Sequence, residues 1–314
     1  MVNVENLTMH YAGKGGKGVF GVNLNVEKGE TLGFLGPNGS GKTTTIRCIL
    51  GFMKGESGVC TINGIDPFCN AEKIMHNLGF VAGEPVFPPN LSGMDYLKFL
   101  EDIQADARPK EEQAVFRNDI IARRDELLTT FELDPRVKIK KMSKGMKQKL
   151  GIVSAFMHNP QILILDEPTN GLDPLMQIRF IELIKKQKEN GKTILMSSHI
   201  FEEVEKTSDK VAIIRDGRIV ASDTLKNLRE KMNANKVKLF SLSSADAEKI
   251  EKNTDKKIKI DRSIKTQTTF EVPTANVQKF MEMLVKSGIT VFTTHEPTLE
   301  NVFIDFYSAN GGAK

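Results

Sequence analysis

Apolar positions change rhythm several times along the chain, and each change predicts a different element. Alternation is weak over Asn3 to His10 and clear over Val19 to Val26, where Val19, Leu24 and Val26 are apolar; both segments read as strands. Thr31 to Leu35 is a short apolar strand, and Thr44 to Phe52 has a helical pattern. Val59 to Ile62 is a strand ending at the turn Asn63-Gly64, and Leu78 to Ala82 is another. After about residue 85, Ser92 to Ile103 and Lys110 to Phe131 become helical in period, charged and poor in β-branched residues, and Lys149 to Met157 continues that character. Ile162 to Leu165 is a continuous apolar run, the pattern of a parallel strand buried on both faces. Leu175 to Asn190 predicts a helix stopped by Gly191. A strand over Thr193 to Ser197, a helix over Phe201 to Lys206 and a strand over Val211 to Arg215 follow. Asp216-Gly217 then turns into Arg218 to Ala221.

From about residue 231 the texture shifts. Strands are predicted over Val237 to Leu242, Lys257 to Asp261, Thr268 to Val272 and Ile289 to Thr293, with a helix over Asn276 to Ser287. Residues 231–314 therefore read as a small lysine-rich α+β domain, following an α/β domain over 1–225 that carries a helical insertion at about 86–157.

Composition narrows the function classes. The chain has 314 residues, 39% apolar and 27% charged, as in ordinary globular proteins. Its 44 basic and 40 acidic residues leave a net charge of +4, too small a surplus to argue for nucleic acid, and no nucleic-acid partner is expected. No run approaches the roughly 18 apolar residues of a membrane helix. The start Met1-Val2-Asn3-Val4-Glu5 lacks a signal pattern. The expectation is a chain neither secreted nor membrane-spanning, free to sit against a membrane protein. Cys48, Cys60 and Cys69 have no metal or CxxC spacing and read as reduced thiols.

Two glycine-rich runs compete as phosphate loops. Gly13-Lys14-Gly15-Gly16-Lys17-Gly18 precedes a strand pattern and reads as a flexible hairpin connection. Gly36-Pro37-Asn38-Gly39-Ser40-Gly41-Lys42-Thr43 fits G-x-x-x-x-G-K-[ST] between a buried strand and a helix. Its glycines let consecutive backbone N–H groups curl around a phosphate, and the helix that follows adds its positive end. Lys42 supplies a point charge to the β- and γ-phosphates, and Thr43 a hydroxyl for Mg²⁺.

The run Ile162-Leu163-Ile164-Leu165 ends in Asp166-Glu167-Pro168. Carboxylates at the end of a buried parallel strand lie where such sheets bind ligands. Asp166 can hold Mg²⁺ through its water shell, and Glu167 can polarise an attacking water as general base. A helix N-cap explains one acid but not the pair. His199, after the next strand, can reach the γ-phosphate and the catalytic carboxylate, or can simply occupy a capping loop. His10, His76, His158 and His295 read as structural.

The ordered set of the loop at 36–43, Met142-Ser143-Lys144-Gly145-Met146-Lys147-Gln148-Lys149, the acidic strand end at 166–167 and His199 resembles the ATP-binding subunits of ABC transporters over roughly residues 1–225. The resemblance implies a P-loop NTPase core of the ABC type, with a mixed sheet, an antiparallel β subdomain and a helical subdomain. It makes Gly36 to Thr43 the Walker A loop, Ile162 to Asp166 with Glu167 the Walker B strand, and Ser143 to Met146 the signature. Gly171-Leu172-Asp173 matches the D-loop, His199 the switch histidine, and Tyr11 the aromatic residue that stacks on adenine. Thr44 joins the nucleotide-binding set.

It further implies a head-to-tail dimer with a second ATPase subunit, a homodimer or a pair with a homologue. Each ATP then lies between one chain's loop and the other's Ser143 and Gly145. Separate transmembrane permease subunits, docked on the groove of the helical subdomain, would hold the ATPase peripherally at the cytoplasmic side of the cell membrane.

Departures from the pattern stand out. Lys144 and Met146 replace the usual Gly and Gln of the signature. Gly83 sits where a metal-binding Gln is expected: either Glu84 is the substitute contact to Mg²⁺, or this contact is missing. The ending His295-Glu296-Pro297-Thr298-Leu299-Glu300-Asn301-Val302-Phe303 resembles ATPases paired with export-type, ABC-2-like permeases that move drugs, antibiotic peptides or lipids. A non-transport ATPase acting on ribosomes or nucleic acid is the alternative from the same superfamily. A small-molecule kinase would leave the signature and His199 unexplained.

Overall fold

The computed structural model describes residues 1–11, 16–228, 237–251, 258–264 and 266–295. Residues Met1–Asp223 form one compact unit and Thr224–Lys314 a second.

In the first unit, β1 (Val2–His10), β2 (Gly18–Val26) and β4 (Ser57–Ile62) make an antiparallel sheet ordered β2-β1-β4. Between them in sequence come β3 (Thr31–Leu35) and α1 (Lys42–Ile49). The short helices α2 (Pro67–Asn70) and α3 (Glu72–Met75) lead to β5 (Leu78–Val81). Three longer helices follow: α4 (Gly93–Asp106), α5 (Lys110–Thr130) and α6 (Lys144–Phe156). The unit continues with β6 (Ile162–Asp166), α7 (Pro174–Glu189), β7 (Thr193–Ser198), α8 (Phe201–Thr207), β8 (Lys210–Arg215) and β9 (Arg218–Thr224). The main sheet runs β5-β6-β7-β3-β8-β9, and its four pairs from β5 to β8 are parallel.

All positions of β3, β6 and β7 are buried, which is why their sequences are continuous rather than alternating. The pleat nevertheless sends successive β6 residues to opposite faces. Ile162 and Ile164 join a cluster with Val4, Val26, Phe34 and Ile46, whereas Leu163 and Leu165 join Leu150, Val153 and Phe156 of α6. The sheet is thus clamped between two cores. Its register places Leu35 beside Ser198 and Asp166 beside Ser197, so the loops after β3, β6 and β7 leave from one edge.

Two helix starts differ from expectation. α1 begins at Lys42, not Thr44, so Lys42 and Thr43 already belong to its first turn. Gly41 at its N-cap has φ 112°, a backbone that a side chain would strain. α6 begins at Lys144, not Lys149: its first turn lacks apolar periodicity, but the Ser143 Oγ accepts from the Met146 N–H and caps it. In the helical segment, Ser92 and Asp95 form a reciprocal capping box at α4, and the buried Arg124 donates to the buried Glu101 to tie α5 to α4.

The second unit holds β10 (Val237–Ser243), α9 (Ser244–Glu251), β11 (Lys259–Ile264), β12 (Gln267–Pro273), α10 (Val277–Lys286) and β13 (Thr293–His295), with sheet order β11-β12-β10-β13. Phe240, Leu242, Phe270, Val272, Phe280 and Leu284 form its core. The last strand starts four residues later than the apolar run suggests. Ile289 is buried in that core, and pairing starts only at Thr293. Helix α9 has no counterpart in the sequence reading; the Ser243 Oγ accepts from the Asp246 N–H at its start. Of the segment His295 to Phe303, everything beyond His295 lies outside the described residues, as do Gly13, Lys14 and Gly15.

Candidate nucleotide-binding site

The edge where β3, β6 and β7 end opens into a cleft of about 740 Å³ lined by residues that include Tyr11, Lys42, Thr43, Gly83, Asp166 and Glu167. The loop from Gly36 to Gly41 carries β3 into α1. Pro37 and Lys42 are joined through the Pro37 carbonyl, which accepts from Lys42 Nζ at 3.1 Å; the Gly36 carbonyl accepts at 2.6 Å. A Cβ at Gly36 would lie 2.5 Å from the Ile214 carbonyl oxygen, so only glycine fits there. Asn38 and Gly39 line the cleft beside Gly41, and Gly39 has φ 80°. The Ser40 Oγ is buried and, among the described residues, has no hydrogen-bond partner. A buried orphan hydroxyl in a glycine-rich loop at a helix start fits a phosphate ligand, which supplies acceptor oxygens where the chain supplies donors.

The charged groups converge on Glu167. Its Oε1 is 3.0 Å from Lys42 Nζ and its Oε2 is 3.3 Å from His199 Nδ1. Lys42 is 4% exposed, and the Glu167 side chain 16%, so this ion pair is largely shielded from solvent. Glu167 has φ 45°, a left-handed backbone that costs a non-glycine residue about 1–2 kcal/mol. Its N–H donates to the Ser197 Oγ at 3.0 Å and lies 3.2 Å from the Ser197 carbonyl oxygen. Asp166 is buried and accepts from the Thr43 hydroxyl at 2.8 Å and the Ser197 hydroxyl at 2.5 Å. Thr43 and Asp166 are thus a hydroxyl–carboxylate pair of hard oxygen donors at the mouth of the loop, a donor set suited to Mg²⁺. Among the described residues no group of three or more His, Cys, Asp or Glu forms a metal cage.

At the other end of the cleft the Tyr11 hydroxyl is 3.1 Å from the Thr44 Oγ1 and 3.9 Å from the Met53 sulfur, which fixes the ring's tilt. Lys17 and Gly18, from the first glycine run, also line the cleft beside Tyr11. That run joins the antiparallel strands β1 and β2, with His10 opposite Gly18. The second run alone leads into a helix.

Ser143, Gly145 and Asp173 do not line this cleft. Ser143 caps α6, and Asp173 caps α7 by accepting from the Met176 N–H at 3.0 Å. A Cβ at Gly145 would meet the Gly171 carbonyl oxygen at 2.7 Å, so the signature and D-loop segments touch within the chain. Gly83 does reach the cleft. A Cβ there would lie 3.2 Å from the Asp166 carbonyl oxygen and 3.6 Å from the Glu167 Cβ, aimed at the acidic strand end. The neighbouring Glu84 is exposed, with its carboxylate 3.9 Å from Lys144 Nζ.

The model of the family described as "ABC transporter" matches residues 19–170. The bacitracin transport ATP-binding protein of Bacillus licheniformis is 34% identical over 97% of this chain and 96% of its own length. The chain belongs to the ATP-binding subunits of ABC transporters. An uncharacterized ABC transporter ATP-binding protein of Bacillus subtilis is 39% identical over 65% of this chain, a match that spans 63% of that relative. The linearmycin resistance ATP-binding protein of the same organism is 32% identical over 77% of this chain and 75% of its own length. Among solved structures, an ATP-binding subunit of an ABC transporter aligns with TM-score 0.65 and 30% identity, covering 74% of this chain and 93% of its own. A dimeric post-hydrolysis ATP-binding cassette bound to ADP and Pi aligns with TM-score 0.61 and 25% identity, covering 72% and 99%.

The chain is therefore an ABC ATPase that binds and hydrolyses ATP to drive transport, and the ribosome or nucleic-acid alternative is not favoured. Two residues of this ATPase site escape a reading by motif. Ser197 holds both Asp166 and the Glu167 backbone, and only strand pairing puts it beside them. Asn170 lines the cleft from the turn after Pro168. Among the described residues no helix is long and apolar enough to cross a membrane.

Proposed function

We propose that this chain is the ATP-hydrolysing subunit of an exporter, working as a head-to-tail homodimer on a separate ABC-2-like permease at the cytoplasmic face of the membrane. Antibiotic peptides and related amphiphilic compounds are the cargo class. Support for the cargo comes from relatives whose names specify bacitracin transport and linearmycin resistance. Support for the dimer comes from the dimeric cassette of similar fold and from the position of Ser143, Gly145 and Asp173 outside the chain's own cleft.

The observation that carries the chemistry is the placement of the Glu167 carboxylate between Lys42 and His199. In this reading Tyr11 stacks on adenine, with Thr44 holding its ring. The loop from Gly36 through Gly39 to Gly41, with Ser40 and Asn38, cradles the phosphates. Lys42 turns from the Gly36 and Pro37 carbonyls to the β- and γ-phosphate oxygens, where its charge offsets theirs. Thr43, Asp166 and Glu84 would hold Mg²⁺, which would supply positive charge to the phosphate oxygens. Glu167 accepts a proton from water as the water oxygen bonds to the γ-phosphorus and the bond to the bridging oxygen of ADP breaks. His199 keeps the Glu167 carboxylate aimed and donates toward the γ-phosphate. Ser143 and the N–H groups at Gly145, in the first turn of α6, complete the site of the opposite chain.

Glu167→Gln removes the proton acceptor but leaves the shape. Expected is a loss of turnover of about 10²- to 10⁴-fold with ATP binding kept and a stable dimer trapped by ATP. Turnover within a few-fold of wild type, measured by phosphate release, would remove Glu167 from the role of base.

A further inference from the structure

The motifs leave one wholly buried polar side chain near the site without a task. Gln148, in the second turn of α6, has no exposed surface. Its Nε2 donates to the Pro168 carbonyl at 2.9 Å and lies 3.4 Å from the Ala82 carbonyl. Its Oε1 is buried and, among the described residues, has no partner. Rotating the amide would set an oxygen against two carbonyl oxygens, so the nitrogen faces them. An amide that is buried with one end orphaned is held by what its other end does.

Those two carbonyls flank the catalytic machinery. Pro168 follows Glu167, the residue in a left-handed backbone, and Ala82 precedes Gly83 in the loop after β5. Left-handed backbone at a residue other than glycine persists only where its surroundings over-determine it. Ser197 grips Glu167 on its N–H side. The Glu167 carbonyl accepts from the Asn170 N–H at 3.1 Å, Pro168 has no N–H of its own, and its carbonyl is the backbone group that follows. We propose that Gln148 is a positioning residue for Glu167. Its amide pins the far side of the strained turn and ties that turn both to α6 and to the loop carrying Gly83 and Glu84. It touches neither nucleotide nor water and acts only through the orientation of Glu167. The close packing of Gly145 on Gly171 braces the same helix against the same loop one turn earlier.

The role rests on the reading of Glu167 as base, and a double-mutant cycle separates the two. Gln148→Met keeps volume and removes both donors. Expected is a fall in kcat of at least tenfold with KM for ATP within about twofold, and no further fall when the change is added to Glu167→Gln. Losses that multiply in the double variant, or a kcat within twofold of wild type in Gln148→Met, would overturn the role of Gln148. Retained turnover in Glu167→Gln alone would instead overturn the base. If Gln148→Met does not fold, Gln148→Leu takes its place in the same cycle, and losses that multiply there sink the proposal.

Discussion

The two polar ends of the ATPase unit are built differently. At the cleft, charged and hydroxyl groups from three separate segments satisfy one another: Lys42 with Glu167, Thr43 and Ser197 with Asp166, His199 with Glu167. At the signature end, the two capping side chains are used locally. Ser143 caps α6, Asp173 caps α7, and Lys144 remains more than half exposed beside Glu84. Long-range polar convergence is costly unless a function holds it together, because several segments must be ordered to meet. Local capping needs only the adjacent turn. In the proposed dimer, this chain carries one near-complete half-site and one set of donors for its partner's.

The sharpest way to break that contrast is Ser143→Asp. Aspartate caps a helix as well as serine, so the thermal midpoint should hold. A carboxylate facing the partner's γ-phosphate should lower turnover about 10²-fold, by analogy with losing a preorganised donor. If midpoint and turnover fell together, Ser143 would be a cap and nothing more.

A smaller effect tests the junction between the two ends. Glu84→Ala should raise the Mg²⁺ concentration needed for half-maximal turnover several-fold, since a carboxylate is removed from an ion that the protein otherwise holds by two oxygens. Unchanged Mg²⁺ dependence would leave Glu84 only as the exposed partner of Lys144, a pairing worth little by itself.

The smallest effect concerns stability alone. His158 is buried, its Nε2 3.2 Å from the Leu78 carbonyl, and burial lowers its pKa from 6.5 to about 4. The neutral ring is therefore the native form. Between those values the unfolded chain takes up a proton that the folded one refuses. Stability is whole above pH 6.5 and declines as pH falls toward 4, with a slope of up to about 1.4 kcal/mol per pH unit. Urea midpoints of wild type and His158→Asn across pH 7 to 4.5 measure it; the variant should lose this part of the slope.

Much of this was legible without coordinates because the signals are local. A phosphate loop needs consecutive glycines, a lysine and a hydroxyl in one short stretch, and a fully buried parallel strand needs an unbroken apolar run ending in its acids. Sequence alone therefore determined which segments, Gly36 to Thr43 and Ile162 to Glu167, are the candidate nucleotide-binding core that meets at one cleft, with His199 a candidate third element. Tertiary structure alone decided what depends on neighbours far apart in the chain. Strand pairing set Ser197 against Asp166, and helix packing set Gln148 against Pro168. The reason is physical: a backbone conformation or cap is specified by a few adjacent residues, whereas a hydrogen bond between segments exists only once the core has fixed both.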